Sequence, residues 1–208
     1  MVSHILFDFD GTIADSRYLA IELLNQLAKK HGFRAINEEE FAYLRTISII
    51  DRCKALQVPL YIIPVVFLEL RAGYRPADLP GYNGLNEVIR ELKQRGFVLS
   101  IISSNLVENI NSFLRANNIN LFDCVYSSSY FRKDAAINKY ILKYKLSRKD
   151  VVYVGDEVRD IAACRLNRIK IIAVSWGYES VDRLAGNHPD FIANNPAELL
   201  SIITGGLE

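Results

Sequence analysis

The sequence predicts an α/β protein: a parallel sheet with helices on both faces, interrupted early by an all-helical insertion. Three observations predict it. An apolar strand, "HILFDF", stands at the start of the chain. From Leu85 onward, short apolar runs alternate with helical segments, the pattern of parallel strands joined by crossover helices. Between these regions, residues 15–80 show helical periodicity and no convincing strand.

Each element follows in order. After the first strand, Leu19, Leu23, Leu24 and Leu27 fall at helical spacing, which predicts a helix over Arg17–Lys30. Asp15 or Ser16 is expected to cap its start and Gly32 to end it. Residues 37–74 read as helical throughout. Asn37 with Glu40, and Ser48 with Asp51, resemble capping boxes, and Pro64 opens or kinks a further helix running through Leu70. "RPADLPGYNG" reads as a linker. There follow helix "LNEVIRELKQRG", strand "FVLSII", helix "VENINSFLRANN", strand "DCVYSS" and helix "AAINKYILKYK". Strand "DVVYVGD", helix "VRDIAACRLN", strand "IKIIAVSW" and helix "PAELLSII" complete the pattern.

The bulk numbers narrow the function classes. The 208 residues suffice for one domain carrying a smaller insertion. With 25 basic and 24 acidic residues, the net charge of +1 gives no support for a nucleic-acid or anionic-membrane partner. Cys53, Cys124 and Cys164 form no CxxC pair and their number is odd, which argues against a disulfide framework and for a reducing compartment. His4, His31 and His188 show no ligand spacing. The longest apolar run, "VPLYIIPVVFLEL", is too short for a membrane span and is broken by Pro59 and Pro64. The opening strand leaves no room for a signal peptide, so the expected location is the cytoplasm.

In open parallel sheets, ligands bind beyond the carboxyl ends of the strands. Four strand ends here carry polar residues: Asp8 and Asp10; Ser103, Ser104 and Asn105; the region of Lys133; and Asp156, with Asp160 one helical turn further on. The sheet is expected to bring them together. Carboxylates crowded at one edge need a cation, and all-oxygen ligation suits Mg²⁺. A serine hydroxyl, nearby N–H groups and Lys133 then face an anion, as a phosphate at a helix N-terminus would require.

These residues resemble the four motifs of the haloacid dehalogenase-like hydrolase superfamily, specifically its phosphatases. The DxDxT motif stands as Asp8-Phe9-Asp10-Gly11-Thr12, the strand-end hydroxyl as Ser103 of "IISSN", the lysine as Lys133 of "FRKDAA", and the acidic pair as Asp156 and Asp160 of "VGDEVRD". The insertion resembles the small cap of the phosphoglycolate-phosphatase-like branch. The resemblance implies a Rossmann-like core from residues 1–14 and 81–208 with a helical cap over 15–80. It also implies a Mg²⁺-dependent phosphatase acting on a small phosphorylated metabolite through an aspartyl-phosphate.

Carried over residue by residue, Asp8 is the nucleophile and Asp10 the general acid and base. Asp8, Asp156 and the Asp10 backbone carbonyl hold metal, with Asp160 behind them. Ser103, Lys133 and Thr12 contact phosphate, with Ser104 as rival to Ser103. Where the family often has proline after the lysine, Asp134 stands here and is expected to cap the helix. Arg45, Arg52 and Lys54 of the cap are available to a substrate carboxylate. The apolar stretch Tyr61–Leu70 serves either cap packing or a homodimer contact. A phosphomutase shares these motifs, and a non-catalytic binding module of the same fold is the reading from another class. Dehalogenation fits less well, because Asp10 has no role in that metal-free chemistry.

Overall fold

The structure, a computed structural model, describes residues 2–75, 79–129 and 132–207. Residues 76–78 of the expected linker lie outside them. Six strands are described: β1 (His4–Phe7), β2 (Val98–Ser103), β3 (Cys124–Ser127), β4 (Val151–Gly155), β5 (Lys170–Val174) and β6 (Phe191–Ala193). They form one parallel sheet in the order β3-β2-β1-β4-β5-β6. Ile5, Leu6 and Phe7 are fully buried, which is why β1 takes a central place. Ile5 stands opposite Leu99 on one side and Val152 on the other.

Between β1 and β2 the chain forms α1 (Arg17–His31), α2 (Glu38–Leu44), α3 (Ile49–Ala55) and α4 (Ile63–Gly73). The stretch expected to be helical throughout is thus three helices. Turns separate them, and a short 3₁₀ segment at Leu60–Ile62 precedes α4. Asn37 makes the full capping box with Glu40, Ser48 caps α3, and Pro64 lies in the first turn of α4. Gly32 ends α1 in the left-handed region at φ 76°. These helices pack around an apolar cluster of their own, which includes Ala28, Phe33, Leu44, Leu56 and Val66. Ile62, Ile63 and Leu70 face that cluster, whereas Tyr61, Val65 and Leu68 are exposed.

Beyond it come α5 (Leu85–Gln94), α6 (Val107–Ala116), α7 (Lys133–Lys143), α8 (Val158–Asn167), α9 (Val181–Ala185) and α10 (Pro196–Thr204). Successive residues of β1 point to opposite faces of the sheet. Ile5 and Phe7 join Leu92, Phe113 and Leu199 of α5, α6 and α10. Leu6 joins Tyr140, Ile141 and Cys164 of α7 and α8. Each such side chain is worth about 1.5–3 kcal/mol on burial. The chain runs outward from β1 to β3, and α7 then carries it back across to β4. That reversal opens a crevice at the carboxyl ends of β1 and β4. Among the described residues no helix is long and apolar enough to cross a membrane.

Two cap expectations are corrected. Ser16 occupies the N-cap of α1, but its side chain makes no cap bond. It shares a 2.8 Å hydrogen bond with the Tyr178 hydroxyl instead, and Asp15 turns to Arg17 at 2.9 Å. Asp134 does not cap α7, because the helix already begins at Lys133 and Asp134 lies in its first turn. Two short elements, α9 and β6, were not foreseen; the residues 180–193 that hold them carry too little apolar periodicity to stand out.

Candidate active site

Asp8 continues the line of β1, its N–H donating to the Val154 carbonyl at 2.8 Å. Its side chain is fully buried. One carboxylate oxygen accepts the Phe9 N–H at 2.8 Å and the other accepts Lys133 Nζ at 2.7 Å. The chain then turns sharply: the Phe9 carbonyl accepts the N–H groups of Thr12, Ile13 and Ala14. Gly11 sits at φ +77°, and a Cβ there would lie 2.2 Å from Asp156 Oδ2. Only glycine allows the loop to pass so close to that carboxylate.

Asp156 follows β4 and is also fully buried. It accepts the Thr12 hydroxyl at 2.7 Å and the Tyr178 N–H at 2.7 Å. The hydroxyl of Thr12, expected on phosphate, is thus directed at this carboxylate. Nor is Asp156 merely a helix cap, since Glu157 occupies the N-cap of α8. Asp160, in the first turn of α8, shares Lys133 with Asp8 and accepts the Glu157 N–H at 3.3 Å. Lys133 opens α7 and is 2% exposed.

Asp8, Asp156 and Asp160 each offer an oxygen within 4.8 Å of the others. Lys133 can neutralise only one of them. Burial pushes the Asp8 carboxyl up, but the charges of Lys133 and Arg159 outweigh it and hold the group below its usual range. Burial raises Asp160 to about 6, because the help from Lys133 is offset by the Asp8 charge. Asp156 makes no ion pair among the described residues, and burial, then the charges of Glu157, Asp8 and Asp160, raise it well above the carboxylate range. The uncompensated charge and the all-oxygen donor set fit a hard divalent cation.

Asp10 lies across the mouth of the crevice. Its carboxylate accepts the Tyr74 hydroxyl and the Asn105 Nδ2 at 2.9 Å. Burial raises it to about 6, with the Asp8 charge adding to the rise and the bonds from Tyr74 and Asn105 opposing it. Ser103 ends β2 and is fully buried, its Oγ accepting the Asn105 N–H at 3.2 Å. Ser104 is partly exposed and lies 3.4 Å from both terminal nitrogens of Arg159. A cavity of about 480 Å³ reaches from Asp10, Ser104, Asn105 and Arg159 into the apolar interior of the helical insertion.

The arginines of the helical insertion are otherwise committed. Arg45 Nη2 donates to the Gly177 and Glu179 carbonyls at 3.1 and 2.9 Å. Arg52 pairs with the buried Glu179 carboxylate at 3.0 Å. They clasp the helical insertion onto the loop after β5. Lys54 is exposed and pairs with Asp51. Tyr74, Arg159 and Tyr178 had no assigned role in the sequence reading. For Tyr178, the rule that ligands gather at strand ends was a usable signal, because "SWGYES" follows the apolar run of β5.

Comparison with known proteins identifies the family. The model of the haloacid dehalogenase-like hydrolase family matches residues 5–174. The chain belongs to that family. It is 30% identical over 204 residues to a phosphoglycolate phosphatase of Synechococcus elongatus, covering 96% of each chain. It is 23% identical to the pyrophosphatase PpaX of Anoxybacillus flavithermus over 97% of each chain. A haloacid dehalogenase-like hydrolase structure from Streptococcus pneumoniae superposes with a TM-score of 0.82 at 21% identity, covering 97% of this chain and 98% of that one. The protein is a hydrolase, and its two end-to-end sequence relatives are a phosphoglycolate phosphatase and a pyrophosphatase.

Proposed function

We propose that the protein hydrolyses a small phosphomonoester of the phosphoglycolate kind through an aspartyl-phosphate on Asp8. The observation that carries this reading is the arrangement at β1. One buried carboxylate is kept ionised by Lys133, and a second, Asp10, has its pKa raised to about 6 two residues away. A nucleophile must be charged and a general acid must hold a proton, and the two environments are pushed apart accordingly.

An Asp8 oxygen attacks phosphorus, the ester P–O bond breaks, and Asp10 gives its proton to the leaving alkoxide. Asp10 then removes a proton from water, which attacks phosphorus; phosphate leaves and the Asp8 carboxylate is restored. Splitting one difficult displacement in two suits a reaction that enzymes accelerate by up to ~10²¹-fold. Ser103 and Lys133 hold the transferring group, and Thr12 keeps Asp156 in place. Asp8, Asp156 and the Asp10 carbonyl would hold Mg²⁺, with Asp160 beside them. When bound, the ion supplies charge neutralisation among carboxylates and phosphoryl oxygens.

The separate apolar cluster of the insertion supports its reading as a cap over residues 15–80, on a core of 1–14 and 81–208. Three unpaired cysteines support a reducing, cytoplasmic setting. The test is hydrolysis of p-nitrophenyl phosphate and of a panel of small phosphomonoesters, with Mg²⁺ and with EDTA, beside Asp8→Asn. Turnover that needs Mg²⁺ and vanishes in Asp8→Asn is expected. Inactive wild type on every substrate, or activity surviving Asp8→Asn, refutes the reading.

A further inference from the structure

Arg159 stands beside Asp8, and the motif reading gives it no task. It occupies the first turn of α8, between Glu157 at the N-cap and Asp160. Its Nη2 lies 3.9 Å from Asp8 Oδ2, the oxygen that also faces Lys133. Both terminal nitrogens lie 3.4 Å from Ser104 Oγ. Glu157 Oε2 holds the guanidinium, at 2.6 Å from Nε and 2.5 Å from Nη2. Glu157 is itself fixed by its capping box with Asp160. The head of Arg159 is therefore held at the wall of the cavity that also contains Asp10 and Asn105.

We propose that Arg159 is a further catalytic residue, whose guanidinium donates to the equatorial oxygens of the phosphoryl group as it transfers to Asp8. The proposal rests on the phosphatase reading above. The physical case is electrostatic. A phosphate ester carries negative charge toward a nucleophile that is itself a carboxylate, inside a cluster of three buried carboxylates. Lys133 is already shared between Asp8 and Asp160, so its charge is largely spent on them. A planar guanidinium offers two parallel N–H bonds to a phosphoryl group, which a lysine cannot match. Held in advance by Glu157, it needs little reorganisation when charge spreads over the equatorial oxygens.

The test compares wild type, Arg159→Ala, Arg159→Lys, Glu157→Gln and the double variant Glu157→Gln/Arg159→Ala. Circular dichroism and thermal midpoint serve as folding controls. Rates are measured on p-nitrophenyl phosphate and on phosphomonoesters with and without a second acid group, and orthovanadate inhibition is measured as a mimic of the transferring group. Arg159→Ala is expected to lower kcat by about 100-fold or more on every substrate, the loss typical of one transition-state donor. Vanadate inhibition should weaken in parallel, Arg159→Lys should fall between, and added guanidinium should restore part of the rate to Arg159→Ala alone.

Three results overturn the proposal. One is a kcat within about 3-fold of wild type in Arg159→Ala. Another is recovery of full rate in the double variant, which would make Arg159 only a counter-charge for Glu157. The third is a loss confined to KM for substrates with a second acid group, which would move Arg159 to the non-reacting end of the substrate. If wild type itself turns over nothing, the phosphatase reading falls and takes this with it; normal wild-type turnover with an indifferent Arg159 sinks this inference alone.

Discussion

Replacing Lys133 with methionine keeps the length of the side chain and removes its charge. The consequence follows from its neighbours. Nζ lies 2.7 Å from Asp8 Oδ2 and also contacts Asp160, and all three side chains are 2% exposed or less. At an effective dielectric of about 20, a pair at that distance is worth roughly 6 kcal/mol of Coulomb attraction. Desolvation of the three groups offsets much of this in the intact protein. In the variant the desolvation remains and the attraction does not, so the loss should be about 3–5 kcal/mol. That is a large share of the roughly 5–15 kcal/mol by which domains are stable.

The pH dependence of that loss has a definite sign. Without Lys133 both carboxylates favour the proton more strongly, and Asp160 already lies near 6 with the lysine present. A carboxyl whose folded pKa is raised contributes stability at low pH that disappears as pH rises through the folded value. The penalty should therefore be smaller at pH 5 than at pH 8. Urea unfolding followed by circular dichroism, in EDTA at both pH values, measures it. Adding Asp160→Asn should recover about 1–2 kcal/mol at pH 8 by removing one of the unpaired charges. A penalty below about 1 kcal/mol at pH 8, or a larger one at pH 5, refutes the argument.

Three further outcomes are expected. In the metal-free wild type, Asp10 and Asp160 are raised to about 6 and Asp156 is also raised, against a lowered Asp8. The folded state then binds more protons than the unfolded one, so the thermal midpoint in EDTA should fall from pH 5 to pH 7.5. Each of the two groups near 6 contributes up to about 3 kcal/mol, and Mg²⁺ should flatten the slope; a midpoint that climbs over this range contradicts the electrostatics. Gly177→Ala would place a Cβ 2.3 Å from Asp156 Cβ. It should displace that carboxylate and raise the Mg²⁺ concentration for half-maximal hydrolysis at least ~10-fold, and an unchanged Mg²⁺ titration counts against Asp156 as a metal ligand. Tyr74→Phe removes one of the side-chain donors on Asp10. It should slow alkyl phosphates about 10-fold more than p-nitrophenyl phosphate, whose leaving group needs no proton; equal losses on both would argue that Tyr74 only packs.

The site was legible wherever its residues were announced by a strand end. Asp8, Ser103 and Asp156 close apolar runs that could be seen along the chain, and one sheet register brings β1, β2 and β4 level. Lys133 was findable because a helix begins there. The errors have one cause. Ser16, Asp134 and Arg45 were assigned local roles, or left free for substrate, because only their neighbours in the chain could be weighed. Ser16 in fact meets Tyr178, and Arg45 meets Gly177 and Glu179, more than 130 positions away. Thr12, assigned to phosphate, meets Asp156.

By itself, the sequence determined the layered α/β architecture, the helical insertion and the acidic edge. Those depend on periodicity and on turn and cap chemistry, which act over a few residues and are written in order along the chain. Only the tertiary structure decided that Asp10 is gripped by Tyr74 and Asn105, that Asp156 is buried among other carboxylates, and that Arg159 faces Asp8. Such contacts are chosen by how helices seat on the sheet, where burial makes each charge answer to whichever group comes within a few ångströms, regardless of its distance in sequence.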